Sequence, residues 1–175
     1  MTYAQPYYNP SVMCGTIMLK PDIQSIPVFK WQEAAADSLY TMLMIDPDGN
    51  INGSWAADQQ CPPPGDVAPV RHGAWGNIPG SILRAGLKGE TGAETVISPY
   101  GGPGITSGSH RYGWLVFKQP AATKISFAPL NNSWAPHARF NFEVAAFLEL
   151  YKLGKPVASN YMLAFAADDG NYARP

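Results

Sequence analysis

The feature that most narrows the fold is punctuation: seventeen glycines and seventeen prolines are spread through 175 residues. A glycine inside a helix costs about 1 kcal/mol relative to alanine and a proline about 3 kcal/mol, so a helical bundle is excluded. Short strands joined by many turns are expected instead, and the 12% aromatic content suits pleated, half-buried surfaces. The chain is 46% apolar and only 14% charged, which rules out a polyelectrolyte tail and supplies one hydrophobic core. The expectation is a single, mainly β domain over residues 1–175.

Charge and short motifs remove several function classes. A net charge of -1 and a pI near 6.3 give no general attraction to phosphate backbones or anionic bilayers, so no nucleic-acid partner is expected. No run approaches the roughly 18–20 apolar residues a membrane span needs. Residues 1–10 show neither a basic n-region nor an apolar h-region, which points to a cytoplasmic address. Cys14 and Cys61 lie far apart with no metal-ligand or CxxC spacing, so free thiols and no metal are expected. Dinucleotide, Walker, zincin and nucleophile-elbow motifs are all missing, and no cofactor is expected.

Along the chain, residues 12–19 and 26–31 read as peripheral strands. Residues 38–45 (SLYTMLMI) are apolar in both alternating phases, the pattern of a strand covered on two faces. That strand runs into Asp46-Pro47-Asp48-Gly49-Asn50, a turn sequence that leaves two carboxylates at the end of a buried element. Residues 49–70, with Cys61-Pro62-Pro63-Pro64-Gly65, read as a long polyproline-like loop. Residues 74–78 form a short strand closed by a Pro79-Gly80 turn, 98–109 are irregular, and 112–117 and 124–127 are strands. Residues 140–153 carry the one clear helix, capped by Asn141 and stopped by Gly154 and Pro156, with Phe147, Leu150 and Tyr151 facing the sheet. Residues 160–165 alternate as a last strand.

Chemistry can reside in the polar residues gathered at these strand ends and loops: Asp46, Asp48, His72, His110, Arg111 and Tyr112. Each also has a plainer role. The aspartates are turn formers, a histidine in a loop is usually solvated, and Arg111 suits an ion pair.

Three blocks, in order, give these residues a common context. They are Tyr40 to Asp48 ending in Asp-Pro-Asp, His72-Gly73-Ala74-Trp75-Gly76-Asn77-Ile78-Pro79-Gly80, and Gly102-Pro103-Gly104 followed by Gly108-Ser109-His110-Arg111-Tyr112-Gly113-Trp114. Over residues 38–166 the chain resembles the phosphatidylethanolamine-binding protein family, which includes the Raf kinase inhibitor proteins. The resemblance implies a large central antiparallel sheet packed on a smaller one, peripheral helices including one near the C-terminus, and a small pocket at one end. It implies that Asp46, Asp48, His72, His110 and Tyr112 bind a small anionic ligand, phosphate or carboxylate, with Gly102 and Pro103 at the rim. A protein partner could use the same pocket. Arg71 before His72, and Gly73-Ala74 after it, replace the bulkier residues usual in the family and imply a roomier pocket floor; the Pro-rich loop at 61–65 is an addition.

Apart from the resemblance, the site has a physical logic. An anion needs converging donors in a partly dry hollow, and Asp46 would orient an imidazole and raise its pKa. The same set, with His72, His110 and Asp46 as catalytic groups, could perform acid/base chemistry. The family's fungal members suggest a carboxylate or anhydride substrate there, in the dimerisation of maleic anhydride units of maleidride biosynthesis.

Overall fold

A strand whose two alternating phases are both apolar can be buried on both faces, and the centre of this molecule is such a strand. The computed structural model describes residues 13–49, 69–105, 109–127, 139–140 and 142–166. In chain order the strands are β1 (Thr16–Leu19), β2 (Val28–Phe29), β3 (Leu39–Asp46), β4 (Val70–Pro79), β5 (Leu87–Lys88), β6 (Thr95–Ser98), β7 (Ser109–Lys118) and β8 (Ala158–Phe165). The described residues also form two short α-helices, α1 (Gly80–Ala85) and α2 (Val144–Leu150), and two 3-10 turns, Lys20–Ile23 and Pro120–Ala122. Six strands make one sheet in the order β1-β8-β7-β3-β4-β6, and β2-β5 make a second. The large sheet is antiparallel except at one edge, where β1 runs parallel to β8.

The even residues of β3, Tyr40, Met42 and Met44, join Trp75, Tyr112, Trp114 and Met162 in one core. This core is closed by the small sheet and α1 through Phe29, Leu83 and Leu87. The odd residues Leu43 and Ile45 join Ala74, Phe117, Phe142 and Phe147 in a second core on the opposite face. β3 is therefore buried on both sides, as its sequence predicts.

Two irregularities in β4 set the positions of His72 and Asn77. Gly73 pairs with Met44 but Arg71 already pairs with Ile45, so His72 is one residue too many for the ladder. A bulge of this kind turns the surplus side chain out of strict alternation. Near the other end, Trp75 pairs with Met42 and Ile78 with Tyr40, so Gly76 and Asn77 both stand against Thr41. Asn77 takes a left-handed backbone there, at φ 55°. Asparagine is one of the few residues that tolerates it.

Several sequence expectations need correcting. The short strand at 74–78 is the second half of a ten-residue strand that contains His72, and 112–117 belongs to one that contains His110. Pro79-Gly80 is not a simple turn but the entry to α1, where a side chain at Gly80 would collide with the Ala35 carbonyl. Residues 124–127 are irregular.

The C-terminal helix is only Val144–Leu150, and Leu150 is 69% exposed. The stripe that packs is Val144, Phe147, Leu148 and Tyr151, on which Leu150 lies off to one side. Lys152, at φ 52°, turns the chain out of the helix before Gly154. Asn141, Cys61 and the Pro-rich loop lie outside the described residues.

Gly73 does not leave a roomier floor under the pocket. A Cβ at this position would run into the Trp75 ring, which already fills the space. Gly73→Ala is therefore expected to destabilise the protein by about 2 kcal/mol, the usual cost of overpacking a closed core. Thermal or denaturant unfolding of the variant checks this, and an unchanged midpoint would contradict it.

Candidate functional site

β3 ends where β4 and β7 begin, so the antiparallel ladder carries Asp46, His72, His110 and Tyr112 to one end of the sheet. The side chains converge. Asp46, almost fully buried, accepts a 2.7 Å hydrogen bond from His110 Nδ1 on one carboxylate oxygen and 2.8 Å from the Asp48 N–H on the other. Tyr112 is near enough to the same carboxylate to feel its charge. The Tyr112 ring lies between the imidazoles, edge-on to His72 at 5.0 Å and stacked with His110 at 6.3 Å. The strand bulge explains why His72 reaches this group, since strict alternation would have sent it to the face opposite Gly73.

The hydrogen bonds also assign the tautomers. His72 Nδ1 lies 2.8 Å from the Gly101 carbonyl, which can only accept, so Nδ1 carries the proton and Nε2 keeps its lone pair. The bond is reciprocated at 2.6 Å by the Gly101 N–H to the His72 carbonyl. His110 likewise donates Nδ1–H to Asp46.

The electrostatics then push the two rings apart. Burial lowers the pKa of His72 below its ordinary value and outweighs the attraction of Asp46. At His110 burial pulls the same way, but the Asp46 hydrogen bond and the charges of Asp46 and Asp48 win, and the net shift is upward. Near neutrality His72 is a neutral base and His110 tends towards the imidazolium. Tyr112 is held far above its ordinary pKa, first by burial and then by Asp46, so it serves as a donor and never as a phenolate.

Asp48 is placed differently from the other four. Its carboxylate grips Arg111, with Nη2 at 2.6 Å, Nε at 2.9 Å and the backbone N–H at 2.8 Å. This ion pair ties the turn after β3 to the start of β7 and so holds Asp46 against His110. Burial alone would raise the Asp48 pKa, but Arg111 lowers it on balance.

Gly102 and Pro103 meet Gln24, whose Nε2 donates to the Pro103 carbonyl at 3.1 Å; it is Gly101, one residue earlier, that bonds His72. Sequence reasoning missed Gly101 and also Arg139. The Arg139 guanidinium donates to the His72 carbonyl at 3.0 Å and to Pro99 at 2.8 Å, clamping the Gly-rich loop onto β4. Nothing in the spacing of a distant arginine signals such a role. Arg71 is buried over the Phe142 ring at 5.1 Å and belongs to the second core, not to the His cluster.

Among the described residues no cluster has the makings of a metal site, and no helix is long and apolar enough to cross a membrane. Cys14 is an exposed free thiol.

The chain is 30% identical over 156 residues to a 26 kDa secreted antigen of Toxocara canis, covering 87% of this chain and 52% of the relative. The chain thus spans about half the length of the curated relative it matches. Among solved structures it is similar to a phosphatidylethanolamine-binding protein from Plasmodium vivax, at 19% identity and a TM-score of 0.62, covering 94% of this chain and 84% of that one. It is also similar to a carboxypeptidase Y inhibitor solved in complex with its cognate proteinase, at 20% identity and a TM-score of 0.57, covering 87% and 76%. These likenesses establish the fold. The family model for phosphatidylethanolamine-binding proteins matches residues 10–162, nearly the whole length, and the chain belongs to that family.

Proposed function

We propose that the protein binds a small anionic ligand at Asp46, His72, His110 and Tyr112, and that it prefers a monoanion carrying one acidic hydroxyl. The observation behind this is the pair of histidines that have each spent Nδ1 on a fixed acceptor while their pKa values are driven in opposite directions. Each has only Nε2 left for a guest. On protonated His110, the form its surroundings favour, that nitrogen is a charged donor, and on neutral His72 it is an acceptor. A phosphate monoester in its singly charged form matches both, with one oxygen accepting from His110 and one hydroxyl donating to His72. A carboxylate offers only acceptors and must bring His72 a proton. Gly102 and Pro103 form the rim through the loop anchored at Gly101, and Asp48 acts at one remove, its charge favouring protonated His110 while its bond to Arg111 fixes the turn.

Calorimetry with phenyl phosphate tests the reading. The second ionisation of a phosphomonoester lies near pH ~6, so affinity is expected to fall about tenfold or more between pH 6.5 and 8 as the hydroxyl is lost. Loss of the His110 charge acts in the same direction. Binding at pH 7.5 should consume protons, read as a dependence of the heat on the buffer. Affinity that rises with pH, or no saturable binding, would overturn it.

The opposed pKa shifts also favour a second reading. Two titratable groups driven apart in one site are the usual arrangement of a general base and a general acid, here His72 and His110, with Asp46 as the orienting carboxylate. On this reading the substrate is a carboxylate or anhydride-derived acid, the maleic anhydride units of maleidride assembly among them. Nothing in the site selects those units over other acids.

A further inference from the structure

β6 pairs with β4 only from Ala74 to Gly76, so at Arg71 and His72 no described strand lies along the outer edge of β4. Both residues are buried, and their backbone groups still need partners. Two separate segments supply them. The Arg71 N–H donates to the Arg139 carbonyl at 2.9 Å, and the His72 carbonyl accepts from the Gly101 N–H at 2.6 Å.

The Arg139 side chain then ties the two segments together. From a half-buried position its guanidinium donates Nη1 to the His72 carbonyl at 3.0 Å and Nη2 to the Pro99 carbonyl at 2.8 Å. A Cβ on Gly101 would come within 2.8 Å of Nη1 and 3.1 Å of Cζ, so the guanidinium rests directly against the Gly101 backbone. The residue between them is anchored from elsewhere: Glu90 Oε1 accepts from the Tyr100 N–H at 2.7 Å, and the Tyr100 hydroxyl donates to the Ile23 carbonyl at 2.6 Å. What this bracing fixes is a proton. The Gly101 carbonyl is the acceptor that keeps the His72 proton on Nδ1. A histidine whose Nδ1 partner withdraws can carry the proton on Nε2 instead, and that nitrogen then no longer accepts.

We propose that Arg139 is a positioning residue of the anion site: by spanning the His72 and Pro99 carbonyls it holds the Gly101 carbonyl against His72 Nδ1, and so keeps His72 Nε2 an acceptor for the hydroxyl of the ligand. The proposal rests on the monoanion reading above for what Nε2 receives, but not for the tautomer itself. Arginine suits this task because its planar fork reaches two carbonyls at a fixed spacing, which a lysine ammonium does not.

Arg139→Lys and Gly101→Ala, made in the full chain, test it. The first removes the fork, and the second crowds it off the loop. Both keep the positive charge, so neither acts by removing an attraction for the anion. In the parent, long-range proton–nitrogen NMR correlations of the His72 ring at pH 8, assigned by their loss in His72→Gln, should show one tautomer, protonated at Nδ1. In either variant the Nε2–H form should appear beside it. Phenyl phosphate affinity at pH 6.5 should fall about tenfold in each, the order of one hydrogen bond. The double variant should lose no more than either single one, because both changes break the same contact. A His72 ring that stays wholly protonated at Nδ1 in both variants overturns the proposal, as does a parent ring protonated at Nε2. So do affinity losses that add in the double variant. The ring spectrum needs no ligand, so a parent that fails to bind phenyl phosphate would count against the monoanion reading while the tautomer still decides the role of Arg139. Gly101→Ala leaves every side chain of the site in place, which keeps the test decisive even if Arg139→Lys fails to fold.

Discussion

Asn77→Ala is expected to cost the protein about 4–5 kcal/mol, a larger stability loss than that of Gly73→Ala. The Asn77 side chain makes four hydrogen bonds in a buried network. Nδ2 donates to Thr95 Oγ1 at 2.9 Å and to the Ile125 carbonyl at 2.8 Å, while Oδ1 accepts from the Ile125 N–H at 2.7 Å and from Gln119 Nε2 at 3.0 Å. Gln119 closes the network, with its Oε1 accepting from the Asn77 N–H at 2.7 Å and from Thr41 Oγ1 at 3.1 Å. At about 1 kcal/mol per bond the side-chain losses sum to about 4 kcal/mol. Alanine at φ 55° adds about 1 kcal/mol of backbone strain. Folding stabilities are about 5–15 kcal/mol, so the variant should be marginal at room temperature. Asn77→Gly separates the two terms, because glycine carries no left-handed penalty and should recover about 1 kcal/mol of the loss. Gln119→Leu should be nearly as damaging as Asn77→Ala, and the double variant well short of additive, because the two residues share partners. Denaturant titration of the parent and the four variants reads this out. Additive losses, or an Asn77→Ala midpoint within error of the parent, would mean that the network carries no stability.

This network also shows where reading the sequence stops. The apolar runs at 38–45 and 112–117 announce buried strands because burial on two faces leaves a pattern at a period of two. The Asp-Pro-Asp turn and His110 can be placed at strand ends for the same reason. What a period cannot show is a departure from it. His72 joins the cluster through one surplus residue in β4, and Asn77 is held at a second such irregularity. Both lie inside a run, Val70 to Pro79, that reads as half loop and half short strand. Gln119 and Arg139 contribute through contacts 42 and 67 residues away in sequence, which no local signal encodes. The C-terminal helix is legible in its place but not in its length. Its apolar residues suggest a face through Leu150, whereas the sheet selects the stripe through Leu148. The separation of the two histidine pKa values follows from one being buried against a carbonyl and the other against a carboxylate, a three-dimensional fact throughout.

Asp46→Asn should convert that separation into agreement, and this is the largest effect expected at the site. Asparagine preserves the shape and can still accept from the Asp48 N–H, but it removes the charge that holds His110 above its ordinary value of 6.5. Burial, already the largest single influence on His110, then acts against a much weaker opposing attraction, and the His110 pKa should drop below 6.5. His72, which also feels Asp46, should fall further. The consequence for stability has a definite sign. A histidine with a raised folded pKa adds stability that is fully present below its unfolded pKa and is lost as pH rises through the folded value. One with a lowered pKa does the reverse, costing stability as pH falls below about 6.5. In the parent the two act in opposition below that pH. In Asp46→Asn they act together, so the variant should lose stability steadily on acidification from pH 7 to 5 relative to the parent. Anion affinity at pH 6.5 should fall about 10- to 100-fold, because a charged donor becomes a neutral one. NMR titration of the two imidazoles, with urea unfolding at several pH values, measures both. A His110 pKa that stays above 6.5 without the Asp46 charge would show that another group governs the ring, and the site as described would lose its central interaction.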